Sequence, residues 1–155
     1  VSFEALGPGG TAMIIEGISN NKNRTLGEEK TILNKHEGKL AGEGAVRWMF
    51  ERRGLISIQT KKKKKETLEM QAIEAGAEDM SWNQNTFEIL TKPEDLEKIK
   101  KSLEEKGLKA ENSSLGWFAK EEITLEERDK EKTQKLFEAL DENDAVQDIY
   151  SNIKT

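Results

Sequence analysis

The sequence predicts an α+β protein made of two small lobes, each on the split β-α-β, ferredoxin-like plan. Three observations predict it. Short apolar runs bounded by glycine or polar turns alternate with stretches of helical periodicity. In order, these give β-α-β-β-α-β and then β-α-β-α-β, the same motif twice with one strand lacking in the second copy. Hydrophobic residues make up 34% and charged residues 35% of the 155, which suits two thin layered lobes better than one thick core.

Each element has its own signal. Ser2–Leu6 is a short strand. Gly7-Pro8-Gly9-Gly10 is a turn that precedes the apolar strand Ala12–Ile18. It lacks the Gly-Lys-Ser/Thr of a phosphate loop and does not open a helix as a dinucleotide fingerprint must. It therefore reads as a structural turn using glycine's positive φ. Thr25 with Glu28 forms a capping box for a helix from about Leu26 to Lys35, with Leu26, Ile32, Leu33 and His36 on its apolar side and Gly38 as its stop. Ala45–Phe50 and Leu55–Gln59 alternate like strands, joined by Glu51-Arg52-Arg53-Gly54 as a hairpin with a basic tip.

Lys61–Lys65 then connects to a helix over Glu66–Ala75 that ends at Gly76. Glu78–Trp82 and Thr86–Thr91 flank a turn at Asn83-Gln84-Asn85. Pro93–Lys106 is a helix: Pro93 fits the first turn, Glu94 and Asp95 suit the dipole, and Leu96, Ile99 and Leu103 make a stripe. Gly107-Leu108 fits a Schellman ending. Lys109–Phe118 is a strand. Thr124 with Glu127 is a second capping box, opening a helix to about Leu140 that turns Thr133, Leu136, Phe137 and Leu140 inward. Ala145–Tyr150 is the last strand. The expected lobes are 1–65 and 66–155, with a boundary anywhere from 59 to 85 and the insertion of one lobe into the other left open.

Composition narrows the function. There is no cysteine, which excludes disulfides, thiol catalysis and zinc–thiolate sites. No apolar run approaches the roughly 20 residues of a membrane-spanning helix, so no membrane partner is expected. His36 is the one histidine. It cannot build a multi-histidine metal centre and has no Ser or Cys partner at a recognisable spacing. It reads as a helix-end cap or surface contact, with ligand contact the alternative. No pair of carboxylates stands out as an acid–base couple. No cofactor, metal or catalytic residue is expected.

Net charge is −5, but its distribution along the chain is uneven. Residues 1–65 hold 13 basic and 7 acidic side chains, and residues 66–155 hold 12 and 23. Such asymmetry suggests a half that faces a polyanion, although Lys61–Lys65 supplies five of the cations and a solvated basic loop explains them equally well. Candidates for nucleic-acid contact are Arg24, Lys35, His36, Arg52, Arg53, Lys61, Lys62, Lys63, Lys64 and Lys65, since phosphate binding needs clustered cations. Trp48 has two readings: core packing, or the stacking of an unpaired base.

Several segments taken together resemble the YebC/PmpR family, which includes the mitochondrial translational activator of cytochrome c oxidase. They are Gly7-Pro8-Gly9-Gly10, Ile15-Glu16-Gly17-Ile18, Asn20-Asn21-Lys22-Asn23-Arg24-Thr25, Asn34-Lys35-His36, Gly44-Ala45-Val46, Met49-Phe50-Glu51-Arg52-Arg53-Gly54, Glu74-Ala75-Gly76-Ala77-Glu78-Asp79 and Asp144-Ala145-Val146-Gln147-Asp148-Ile149-Tyr150. The resemblance runs in order over almost the whole chain. It implies three domains, an N-terminal helical bundle and two α/β domains, of which this chain is expected to hold the last two. It implies a non-enzymatic regulator of gene expression whose partner is DNA, RNA or the ribosome. It implies the bacterial cytoplasm, or the mitochondrial matrix for an organellar member. Apart from the resemblance, a protein-interaction module is a further alternative, with the acidic half (Glu121–Asp148) or a sheet face docking to a regulatory protein. Glu29 departs from the pattern, standing where the family usually has an apolar helix residue. So does Glu37, where a glycine usually follows His36.

Overall fold

The computed structural model describes residues 1–59 and 64–154. In chain order its elements are β1 (Ser2–Leu6), β2 (Ala12–Gly17), α1 (Lys22–Lys35), β3 (Lys39–Ala41), β4 (Phe50–Gln59), α2 (Lys65–Ala75), β5 (Asp79–Asn83), β6 (Thr86–Thr91), α3 (Leu96–Glu105), β7 (Asn112–Ala119), α4 (Glu127–Asp141) and β8 (Val146–Ser151). The strands form two four-stranded sheets, ordered β3-β1-β2-β8 and β5-β6-β4-β7. The architecture is α+β in two lobes.

The chain divides into two compact units, Val1–Glu51 with Trp117–Thr155, and Arg52–Gly116. No single cut, at 65/66 or elsewhere between 59 and 85, separates them. The reason is pairing: β8, near the end of the chain, hydrogen-bonds antiparallel to β2 near its start, with Ile14 opposite Tyr150. The last segment therefore belongs with the first.

The unit Arg52–Gly116 follows the ferredoxin-like plan in sequence order. Its strands run β4, β5, β6, β7 along the chain and β5-β6-β4-β7 across the sheet. Ile56, Ile58, Phe87 and Ile89 alternate with exposed or half-exposed neighbours and point to one face. Leu68 and Ala72 of α2 and Leu96, Ile99 and Leu103 of α3 cover that face. Gly76 closes α2 at φ 104°. Leu108 donates its N–H to the Leu103 carbonyl at 2.9 Å, the Schellman bond expected beside Gly107.

The other unit reaches the same sheet by a permuted path. β2, α1 and β3 form a parallel crossover, because both strands run antiparallel to β1. β1 lies between them, the place that a third strand following β3 would take. β8 follows α4 and flanks β2. This arrangement is hidden in a linear reading, since the missing third strand is supplied from the front of the chain. Ala12 and Ile14 face one side of the sheet, and Met13 and Ile15 the other. All four are buried, which is why β2 reads as a continuous apolar run rather than an alternation. α1 and α4 cover one face through Leu33, Leu136 and Leu140. Val46, Phe50, Trp117 and Ala119 cover the other.

Four expected features are corrected. Ala45–Phe50 is not a strand and Glu51–Gly54 is not a hairpin tip. A 3-10 turn at Arg47–Met49 leads into β4, one ten-residue strand that carries Arg52 and Arg53 in its body. β4 is held instead by β6, with Gly54 opposite Thr91 and Gln59 opposite Thr86. α1 starts at Lys22 under the cap residue Asn21, so Thr25 lies inside the helix. α4 follows Glu126 with no side-chain cap, so Thr124 does not start it. β3 escaped notice because three residues, Lys39-Leu40-Ala41, give too short a run for any periodicity.

Candidate nucleic-acid interface

The first turn of α1 is tied to the loop before it. Asn21 Oδ1 accepts the Arg24 N–H at 3.1 Å, and Ser19 Oγ accepts the Asn21 N–H at 3.1 Å and bonds the Thr25 hydroxyl. An asparagine cap of this kind satisfies a helix donor that has no backbone partner. Arg24 projects from this turn, exposed, with Asn20 Oδ1 at 3.3 Å and Glu28 Oε1 at 3.8 Å. Lys35 lies about three turns further along the same stripe and is exposed. Glu28 shares that stripe, so its charge is mixed. His36 caps the other end through its backbone, whose N–H reaches the Leu33 carbonyl at 3.1 Å. Glu37 then takes a left-handed φ of 60°, the conformation that glycine adopts most easily. Its carboxylate pairs with Lys132 at 2.7 Å.

The remaining candidates lie in the second unit. Arg52 and Arg53 are half-buried neighbours in β4, so they point to opposite faces of its sheet. Lys61, Lys62 and Lys63 lie outside the described residues. Lys64 is exposed just ahead of α2. Lys65 places its ammonium 5.1 Å from the centre of the Trp82 ring. The glycine turn closes on itself: the Gly7 N–H bonds the Thr11 carbonyl at 2.8 Å, and the Thr11 hydroxyl bonds the Pro8 carbonyl at 2.9 Å. Gly9 and Gly10 take φ of 69° and 81°.

The charge asymmetry changes when it is counted by unit. The unit formed by the two chain ends holds 12 basic and 18 acidic residues, and the inserted unit holds 13 and 12. The acids of the last segment join the cations of the first. Among the described residues, no three His, Cys, Asp or Glu side chains are placed to hold a metal ion, and no helix is long and apolar enough to cross a membrane.

Trp48 is the residue whose placement the sequence left open. It is 65% exposed, so core packing is overturned. The cause is a buried carboxylate. Glu4 accepts backbone N–H bonds from Gly44 at 2.6 Å, Val46 at 3.0 Å and Arg47 at 2.7 Å. Burial opposes its charge, but those three bonds and the Arg47 charge together hold its pKa below the ordinary carboxylate value. The pinned loop delivers Trp48 outward, and its indole N–H bonds the Ala45 carbonyl at 3.0 Å. Beside it a cavity of about 410 Å³ is lined by Met49, Lys120, Glu121, Ile123, Asn152 and Gly10. A second cavity, of about 380 Å³, brings Lys22, Arg47 and Glu43 to one opening.

Comparison with known proteins places this geometry in a lineage. The family model described as the TACO1/YebC second and third domain matches residues 1–153. The chain is 39% identical over 155 residues to a probable transcriptional regulatory protein of Thermoanaerobacter pseudethanolicus, covering 99% of this chain and 63% of that one. It is 41% identical to a protein of the same description from Pseudothermotoga lettingae, covering 99% and 61%. A conserved hypothetical protein of Aquifex aeolicus, known from a crystal structure, superposes with a TM-score of 0.93 at 35% identity, covering 99% of this chain and 64% of the other. The chain thus spans less than two thirds of the length of these relatives. It belongs to the TACO1/YebC family, over the span of that family's second and third domains.

Proposed function

We propose that the chain forms two domains of a non-enzymatic regulator of gene expression that contacts nucleic acid, with Arg24 and Lys35 as phosphate contacts. The placement of these two cations carries the reading. One capped helix holds both outward, roughly 16 Å apart along its axis, on a scaffold buried on its other side. His36, Arg52, Arg53 and the Lys61–Lys65 run extend the set. Relatives described as probable transcriptional regulatory proteins support the regulatory part. Such a regulator works where nucleic acid is, in the bacterial cytoplasm or, for an organellar member, the mitochondrial matrix.

Fluorescence anisotropy with labelled DNA and RNA tests this. Binding at low salt that weakens steeply as salt rises is the expected result. No binding to either, even at low salt, contradicts it.

The charge count by unit favours a second reading, contact with the ribosome as a translation factor. A unit with more acids than bases suits a naked duplex poorly, whereas a ribonucleoprotein offers protein as well as RNA. Co-sedimentation with ribosomes, lost in Arg24→Ala, is the outcome this reading expects.

A further inference from the structure

We infer that the cavity beside Trp48 holds one unstacked nucleobase of a single-stranded nucleic acid, with the base lying on the indole and its acceptor edge meeting the Asn152 amide. The inference deepens the nucleic-acid reading above and rests on it.

Four features converge. First, the indole of Trp48 is 65% exposed and its one polar group is already bonded to the Ala45 carbonyl. What remains for a ligand is a π-face, and aromatic faces bind bases without regard to sequence. The Glu4 carboxylate fixes the loop that carries it, so the platform is preorganised.

Second, Asn152 is only 6% exposed and is tied at three points. Its N–H bonds the Ala12 carbonyl at 3.3 Å, its carbonyl accepts from Ile123 at 2.7 Å, and its Oδ1 accepts the Ala12 N–H at 3.0 Å. The last bond fixes the amide orientation, because an N–H needs an oxygen to donate to. Asn152 lines the cavity, and its Nδ2 group is not among the buried atoms that lack a partner, so it keeps access to solvent. A donor so placed can exchange water for an acceptor that enters the cavity.

Third, Met49 and Ile123 give the cavity apolar walls, and its volume lies within the small-ligand range. Fourth, Lys120 stands at the rim for a phosphate, with Glu121 beside it limiting how much negative charge is drawn in. A planar ring with an acceptor in its plane matches the indole face and the amide donor together. A proline ring also packs on tryptophan, but it is puckered and carries no ring acceptor, so the observations favour a base.

The test uses the chain labelled with nitrogen-15 and three single-stranded oligomers of equal length and phosphate count. One carries natural bases, one carries benzene-like surrogates that stack but accept no hydrogen bond, and one is abasic. Affinity is read together with the Trp48 indole N–H resonance, assigned by its loss in Trp48→Phe. The natural oligomer is expected to bind roughly 5- to 150-fold more tightly than the abasic one, with the surrogate between them and the indole signal shifting. The preference should vanish in Trp48→Ala at unchanged melting temperature and persist in Trp48→Phe.

Equal binding of natural and abasic oligomers, with the indole signal still, overturns the site while nucleic-acid contact stands. Binding of none of them at low salt overturns the underlying reading as well. An indole shift produced by a proline-rich peptide and by no oligomer overturns the proposal in favour of a peptide occupant.

Discussion

At position 29 a carboxyl group occupies a place in the packed face of α1. Glu29 is fully buried between Thr25 and Leu33, and neither of its oxygens has a hydrogen-bond partner. Burial, reinforced by the Glu28 charge, raises its pKa to about 7. The sign follows from proton counts. Between its ordinary value near 4.5 and about 7 the folded chain keeps a proton that the unfolded chain releases. Stability therefore falls as pH rises through that window, and the full cost is carried above it. Glu29→Leu should stabilise the chain, by on the order of 3 kcal/mol more near pH 8 than near pH 4, as read from urea unfolding at both. Gly17 makes a contrasting case. A methyl group there would collide with the Ala145 carbonyl, so Gly17→Ala should cost about 1–3 kcal/mol, measured by the same unfolding. Gly17's close approach leaves no signal in the sequence, and Glu29's burial shows there only through the family resemblance, which puts an apolar residue at that position. A glutamate among helical apolar positions reads as exposed because burial is decided by what the sheet brings opposite. Trp48 was undecidable for the same reason, since its outward turn depends on a carboxylate far earlier in the chain.

Among the elements, the Gly44–Arg47 segment most plainly owes its shape to one side chain. Glu4 supplies acceptors for three backbone N–H groups, two in the loop and one on the first residue of the 3-10 turn. Removing the charge with Glu4→Gln should cost about 1–3 kcal/mol. The pH dependence here runs opposite to that of Glu29. With a folded pKa held below the ordinary value, the contribution is present above about pH 4.5 and is lost as pH falls through the lowered value. Thermal unfolding of both proteins at neutral and acidic pH should show their difference shrinking in acid. The helix cap offers a smaller case. Asn21→Ala should cost about 1 kcal/mol, since it strands the Arg24 N–H, whereas Thr124→Ala should cost no cap energy because Thr124 caps nothing. Element type was legible wherever a local signal decides it: the Schellman end after α3, the left-handed Gly76 after α2, the apolar run of β2. It failed at residues 45–54, where alternation imitated two strands. The apolar side chains there line a 3-10 turn and then one long strand, and only the pairing with β6 settles the difference.

At the scale of the whole chain, the ferredoxin-like plan was legible twice, but its wiring was not. One unit lies between the two segments of the other, and β1 fills the place of a strand that never follows β3. Sequence order cannot reveal such a permutation, because pairing between the ends leaves no periodic trace. The same wiring dissolves the contrast between a basic front and an acidic back, since those segments share a unit. What remains to support the proposed nucleic-acid contact is local: the cations that α1 holds outward and the exposed indole. The sharpest measurement is therefore the salt dependence of binding to labelled RNA and DNA, for the chain and for the Arg24→Ala, Lys35→Ala double variant. Two lost phosphate contacts predict a slope of log affinity against log salt that is shallower by about two. An unchanged slope would contradict the assignment of α1 as the contact surface.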